Sequence, residues 1–200
     1  MNISSKFLEN IKKDLNEPDN WDDWNRSSII GNRFLGVWTE KNPSDAWRYQ
    51  EIIFEKKPDI IIESGSFKGG SAYYLAKVMD MVGNGRIISV DNRDNGQNEV
   101  IHPRIKFIIN DILNCDFNNF GEHEKVMLIL DSDHHEEHVY KELQGLSGLV
   151  TNGQYLIIED TVIQRGINAV DKFLKDNNTF SMVDEPLFTS NHHGYLIKNG

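Results

Sequence analysis

Short apolar runs in this chain repeatedly end in acids, and those acids are the residues with the most chemistry to offer. Leu128-Ile129-Leu130 runs into Asp131-Ser132-Asp133-His134-His135, and Leu156-Ile157-Ile158 runs into Glu159-Asp160-Thr161. If the two runs are neighbouring strands, Asp131, Glu159 and Asp160 converge at one rim. Carboxylates that close raise one another's pKa unless a cation neutralises them. Three oxygen ligands without sulfur call for Mg²⁺, or else Mn²⁺ or Ca²⁺, which keep waters that a substrate can displace. Asp131, Glu159 and Asp160 are therefore the expected metal ligands. His134 beside them is the candidate general base, since an imidazole of pKa about 6.5 accepts a proton at neutral pH; a surface histidine at a helix start is the plain alternative. Asp133-His134-His135-Glu136 has the spacing of a capping box, which gives Asp133 a structural role as N-cap. His134-x-x-Glu137-His138 has the order of an inverted zinc-protease motif, but it follows a buried strand instead of lying on a long helix, and that reading is set aside.

A second constellation precedes the first. Ile60-Ile61-Ile62 runs into Glu63-Ser64-Gly65-Ser66-Phe67-Lys68-Gly69-Gly70-Ser71, a glycine-rich turn that opens a helix. Glycines let backbone approach a ligand closely, and a helix N-terminus favours a carboxylate or phosphate. The spacing departs from G-x-G-x-x-G and lacks the Gly-Lys-Ser/Thr of a P-loop. Asp91 ends the next strand about twenty residues on, where an acid can accept from both ribose hydroxyls. Asp111 ends the third strand, placed either to accept from an adenine amino group or to cap its own turn. Glu63 decides between cofactors: a carboxylate beside the loop repels a pyrophosphate but suits an amino group and a sulfonium. S-adenosylmethionine fits better than NAD, and Glu63, Gly65, Ser66, Gly69, Ser71, Asp91 and Asp111 are the expected cofactor-binding residues.

The elements that must hold these residues follow from the pattern of apolar runs. Strands are expected at 60–62, 86–90, 105–109, 126–130, 155–158, 180–183 and 195–198, with helices at 71–81, 135–146 and 166–174 between them. Continuous apolar strands alternating with helices imply a largely parallel sheet covered on both faces, in which ligands bind at the carboxyl ends of the strands. Upstream, Phe7, Leu8, Ile11 and Leu15 recur at helical spacing behind Ser4 or Ser5 as cap. Trp21, Trp24 and Trp38 lie in an irregular stretch, and Pro43-Ser44-Asp45 opens a second helix carrying Trp47 and closing at Lys56-Lys57-Pro58. Residues 1–41 thus read as an arm and 42–200 as one α/β domain.

Composition narrows the partners. Among 200 residues, 21 Lys+Arg against 31 Asp+Glu give a net charge of −10, which repels nucleic acid and anionic lipid alike. Cys115 is the only cysteine, so no internal disulfide forms. The first residues lack the apolar core of a signal peptide and no apolar run is long enough to span a bilayer, so the expected setting is cytoplasmic. The bare residues leave open a nicotinamide-dependent oxidoreductase or a cofactor-binding assembly subunit.

Asn42-Pro43-Ser44-Asp45, Tyr49-Gln50-Glu51, Pro58-Asp59, Ile61-Ile62-Glu63-Ser64-Gly65, Gly69-Gly70-Ser71-Ala72, His102-Pro103-Arg104-Ile105, Leu130-Asp131-Ser132-Asp133-His134, Ile158-Glu159-Asp160-Thr161 and Gly194-Tyr195-Leu196 follow one another in an order that resembles the cephalosporin hydroxylase / rhamnosyl O-methyltransferase family. The resemblance covers about Leu35 to Lys198. It implies a class I S-adenosylmethionine-dependent methyltransferase (Rossmann-like) fold with seven strands, the last antiparallel. It also implies a divalent metal, usually Mg²⁺, on Asp131, Glu159 and Asp160. By similarity to macrolide-sugar methyltransferases, His134 is the base. The implied reaction is O-methylation of a hydroxyl on a sugar or glycosylated small molecule. Members of the family often form homo-oligomers in which the segment before the first strand helps to cover the site. Asn110 stands where the family has glycine, and Asp133 where it more often has a small uncharged residue.

Overall fold

The computed structural model describes residues 31–117, 120, 123–162, 164–184, 186 and 189–200. The helix expected at 7–15 and Trp21 and Trp24 lie outside these residues.

Arg33–Phe34 (β1) and Val37–Trp38 (β2) form a small antiparallel ribbon, and the chain then enters the helix Pro43–Lys56 (α1). Asn42 caps that helix by accepting from Ser44 N at 2.9 Å, Pro43 supplies the first-turn residue that needs no N–H partner, and Lys57 ends it in the left-handed conformation. The main sheet contains Ile60–Ser64 (β3), Arg86–Asp91 (β4), Ile105–Ile109 (β5), Val126–Leu130 (β6), Tyr155–Ile158 (β7), Phe180–Met182 (β8) and Tyr195–Lys198 (β9). Its order is β5-β4-β3-β6-β7-β9-β8, with β9 antiparallel to both neighbours and every other pairing parallel. Gly70–Val82 (α2), Glu136–Leu146 (α3) and Gly166–Asp176 (α4) complete the layers. This is the architecture the resemblance implies, and the strand and helix ranges read from the sequence agree with it to within one or two residues.

The unbroken apolar strands bury both faces of the sheet. Ile61, Met127, Ile129 and Ile157 pack with Tyr49, Ile52 and Ile53 of α1 and Leu75 and Met79 of α2. Ile60, Ile62, Leu128, Leu130 and Ile158 pack on the other side with Val139 and Leu143 of α3 and Val170 and Phe173 of α4. The period of two along each strand thus feeds two cores instead of one core and solvent.

One local expectation fails. α3 begins at Glu136 with His135 as its N-cap residue, and the Asp133 carboxylate accepts from His135 N at 2.9 Å. Asp133 closes its own Asx turn one step ahead of the helix, so the capping box with Glu136 does not form.

Two close approaches fix the carboxyl edge of the sheet. A Cβ on Gly65, whose φ is +93°, would lie 1.9 Å from Asp131 O, and a Cβ on Gly70 would lie 1.9 Å from Trp38 O. Gly65 therefore lets the loop after β3 lie against the end of β6, and Gly70 lets the segment after β2 cross the start of α2. Phe34 adds edge contacts to Tyr73 and Tyr74 of α2. Gly70→Ala should lower the unfolding free energy by about 1–3 kcal/mol through this clash. In urea titration, Gly148→Ala, which meets no atom within 4 Å, should be near neutral by comparison.

Candidate functional site

β3, β4 and β5 step outward in one direction and β6 returns to the other side of β3, so the crevice between β3 and β6 is where such a sheet binds ligands. Ser64, Leu130 and Ile158 lie in one register row across β3, β6 and β7. The ladder continues one residue further, with Asp131 N donating to Ser64 O and Glu159 N to Leu130 O, both at 2.8 Å. Asp131 and Glu159 therefore leave the sheet at the same level on adjacent strands.

They meet a lysine. Lys41 Nζ donates to Asp131 Oδ2 at 2.8 Å and to Glu159 Oε1 and Oε2 at 2.5 and 2.6 Å. Lys41 is 6% exposed and Glu159 4%. Burial works against the ammonium, but Asp131, Glu159 and Glu63 outweigh it and hold the group protonated well above the usual lysine range. Burial, and then the neighbouring Asp131, pushes the Glu159 carboxyl up, with Lys41 opposing. Burial likewise raises Asp131 against the pull of Lys41. Lys41 was not among the residues singled out from sequence. The available signal was indirect: an excess of acids at the strand ends, and one cation immediately before a well-capped helix.

Asp160 is aimed differently. It follows Glu159 with φ +49°, a left-handed turn for a residue with a side chain, and its N–H donates to Asn191 Oδ1 at 2.9 Å. Asn191 is fully buried and donates through Nδ2 to the Tyr49 hydroxyl at 2.9 Å. The buried Asp45 carboxylate accepts from Ser190 N and Oγ at 3.1 Å, from Tyr195 OH at 2.6 Å and from Thr189 Oγ1. The loop at 189–191 is thus clamped to α1, and through Asn191 it holds the backbone turn of Asp160. Asn191 too escaped the sequence reading, because nothing in an irregular polar loop marks which amide will be buried.

Asp131, His134 and Asp160 each offer a ligand atom, and these atoms lie within 4.8 Å of one another. His134 Nε2 is 3.9 Å from Asp160 Oδ2. Of the three carboxylates expected to bind metal, the structure brings Asp131 and Asp160 together beside His134 and commits both oxygens of Glu159 to Lys41. Asp131 and Asp160 offer the oxygen donors that a hard divalent cation such as Mg²⁺ or Mn²⁺ takes, and His134 lies beside them.

These groups form one wall of a cavity of about 780 Å³ that also reaches Gly65, Asp91, Asp111, Ser132 and His138. The Asp91 carboxylate accepts from Phe67 N at 2.8 Å and Arg93 N at 3.0 Å, bracing the glycine loop with lone pairs to spare. Asp111 takes the capping alternative, accepting from Leu113 N at 2.9 Å while its residue still lines the cavity. Glu63 is fully buried beneath the loop and accepts from the Ser71 and Ser89 hydroxyls. Burial raises its carboxyl, with Lys41, Ser71 and Ser89 opposing. Ser66 Oγ lies 2.6 Å from Ser89 Oγ, and Gly69, with φ +78°, is the N-cap of α2. Glu63, Ser66, Gly69 and Ser71 therefore act first on the shape of the loop. On the far side, buried Glu142 accepts from Ser64 Oγ at 2.5 Å and Ser132 Oγ at 2.8 Å, joining the ends of β3 and β6.

Known proteins resemble this chain over most of its length. The family model described as rhamnosyl O-methyltransferase/CmcI matches residues 28–199. A rhamnosyl O-methyltransferase of Mycobacterium tuberculosis is 32% identical over 151 residues, covering 70% of this chain and 59% of that protein. One of Mycobacterium leprae is 35% identical over 148 residues, covering 69% and 62%. The chain therefore spans about three-fifths of the length of these relatives. Among solved structures, one described as cmcI-D160 Mg-SAM superposes with a TM-score of 0.67 at 19% identity, covering 84% of this chain and 77% of that one. An O-methyltransferase from Bacillus cereus in complex with SAH superposes at 0.60 with 14% identity, covering 96% and 97%. These likenesses establish the class I methyltransferase fold, and the family model together with the residue order establishes that the chain belongs to the rhamnosyl O-methyltransferase/CmcI family.

Proposed function

We propose that this protein is an S-adenosylmethionine-dependent, divalent-metal-assisted O-methyltransferase acting on a hydroxyl of a sugar or glycosylated small molecule. The observation that carries the reading is the placement of Asp131, His134 and Asp160 within 4.8 Å of one another on a cavity shared with the glycine loop and Asp91. The rhamnosyl O-methyltransferase name of the curated relatives supports the sugar.

When bound, S-adenosylmethionine supplies a methyl group on a sulfonium and a divalent cation supplies charge that acidifies a nearby hydroxyl. Gly65 and its loop, shaped by Glu63, Ser66, Gly69 and Ser71, would seat the cofactor, Asp91 would accept from its ribose hydroxyls and Asp111 from its adenine amino group. Asp131 and Asp160, with Glu159 adjoining them, would hold Mg²⁺ or Mn²⁺. His134 would accept the proton of the acceptor hydroxyl as that oxygen is methylated. Positioning and charge neutralisation supply most of the rate. In this reading residues 1–41 are an arm on a methyltransferase domain at 42–200, consistent with Glu40 on the cavity wall. Exposed Trp47 and Phe54 on α1 support a homo-oligomer. No helix among the described residues is long and apolar enough to cross a membrane, and the single Cys115 suits a cytoplasmic setting.

Calorimetric titration should show binding of S-adenosylmethionine or its demethylated product and none of NAD; the reverse order would defeat the assignment. Asp131→Ala should remove metal-dependent turnover while largely sparing cofactor affinity, and full activity of that variant in Mg²⁺ after chelator treatment would remove the metal from the reading. His134→Ala should reduce kcat by about 10²-fold or more with Mn²⁺ affinity nearly unchanged. A parallel loss of Mn²⁺ affinity would make His134 a ligand and not the base.

A further inference from the structure

Neighbouring residues of an extended strand point to opposite faces, yet Glu159 and Asp160 serve one rim. Glu159 shares Lys41 with Asp131, and the ligand atoms of Asp160 and Asp131 lie within 4.8 Å of each other. The left-handed backbone of Asp160, at φ +49°, breaks the alternation. A residue with a Cβ keeps that conformation only where its surroundings determine it. The loop at 189–194 supplies them by meeting the chain on either side of Glu159. Ile158 N donates to Gly194 O at 2.9 Å, and Asp160 N donates to Asn191 Oδ1 at 2.9 Å. The Asn191 amide has only one workable orientation. Its Nδ2 donates to Tyr49 OH at 2.9 Å and to Tyr195 OH at 3.4 Å, and Tyr195 gives its own hydrogen to Asp45, so its oxygen can only accept. The amide oxygen is thereby turned toward Asp160. A carboxylate of the same shape could not donate to the tyrosines and would add charge beside the buried Asp45.

We infer that Asn191 is a positioning residue for the cation: by accepting from Asp160 N it holds the left-handed turn that brings the Asp160 carboxylate onto the rim with Asp131 and Glu159. The inference rests on the metal site of the proposed function and adds the residue that makes two successive acids usable at one ion. Asn191 is fully buried and off the cavity wall, so it acts through Asp160 alone. Loss of its amide oxygen leaves the Asp160 N–H without its acceptor, and an orphaned donor and a strained φ both favour relaxation to ordinary backbone. That relaxation would swing the Asp160 carboxylate away from Asp131 and His134. The glycine loop and Asp91 follow β3 and β4, on the other side of β6 from this loop, so the cofactor's seat should not follow.

The test is Mn²⁺ binding to the full chain, followed by electron paramagnetic resonance of free Mn²⁺ with no substrate present, for the wild type, Asn191→Leu and Tyr49→Phe. Folding of each is checked by near-ultraviolet circular dichroism, and affinity for the demethylated cofactor is measured by calorimetric titration. Asn191→Leu should bind Mn²⁺ about tenfold or more weakly than the wild type, as loss of a group that orients a ligand does, with its cofactor affinity kept within about threefold. Tyr49→Phe takes one partner from Asn191 Nδ2 but leaves Oδ1 on Asp160, so its Mn²⁺ affinity should stay within about threefold of wild type. Unchanged Mn²⁺ affinity in folded Asn191→Leu overturns the inference. An equal loss in Tyr49→Phe, or a parallel loss of cofactor affinity in Asn191→Leu, also overturns it, because the network then matters only for packing. If Asn191→Leu does not fold, Thr189→Val decides, since it removes the hydroxyl that accepts from Asn191 N at 2.9 Å. A loss of Mn²⁺ affinity of about threefold or more with cofactor binding kept supports the inference, and unchanged affinity overturns it. Absence of Mn²⁺ binding by the folded wild type removes the metal site of the proposed function and the inference with it.

Discussion

Carboxylates that emerge side by side from a buried parallel sheet have to be neutralised, and that constraint organises the rim of this protein. The register of β3, β6 and β7 places Asp131 and Glu159 level with each other, so their proximity is a property of the backbone ladder and not of side-chain choice. In a medium less polarisable than water their mutual repulsion would drive one of them neutral. Lys41 supplies the missing charge from a segment that arrives from outside the sheet, and doing so commits that segment to a fixed path over α2. One ion cluster thus couples the carboxyl edge of the sheet, the cavity wall and the approach to α1.

A second consequence is a division of labour among residues of the same type. Glu63, Glu142 and Asp45 are buried carboxylates that bind the fold to itself through serine, threonine and tyrosine hydroxyls. Asp131 and Asp160 keep faces toward the cavity. Asp91 and Asp111 do both, bracing turns with one set of lone pairs while lining the cavity. Burial and donor supply, more than residue identity, separate the structural acids from those available for chemistry.

The fold was legible in the sequence because its signals are local. Unbroken Ile, Val and Leu runs mark two-faced strands, and Asn42-Pro43 and Lys57-Pro58 mark the limits of α1. The candidate site was legible where chemistry follows directly on a strand end, as with Asp131, Asp160 and Asp91. Lys41 and Asn191 were not, because their importance arises from contacts across 118 and 31 residues of chain, and neither lies in a motif with a periodic or spacing signature. Glu63 illustrates an intermediate case. Its type and place mark it as significant, but only the hydroxyls of Ser71 and Ser89 show that it acts on the loop from beneath. Asp133 shows the opposite error, in which a good capping-box spacing lost to a shorter Asx turn.

The first turns of α1 carry more than their own helix. Lys41 just before α1 reaches Asp131 and Glu159, while Asp45 and Tyr49 within it hold the loop whose Asn191 fixes Asp160. The carboxylate rim is therefore suspended from both sides on one short stretch, 41–49. A sub-global opening that frays this stretch dismantles the rim as a unit, although the strands beneath remain paired. The geometry of the rim and protection of these helix amides from hydrogen exchange are then two readouts of a single cooperative segment.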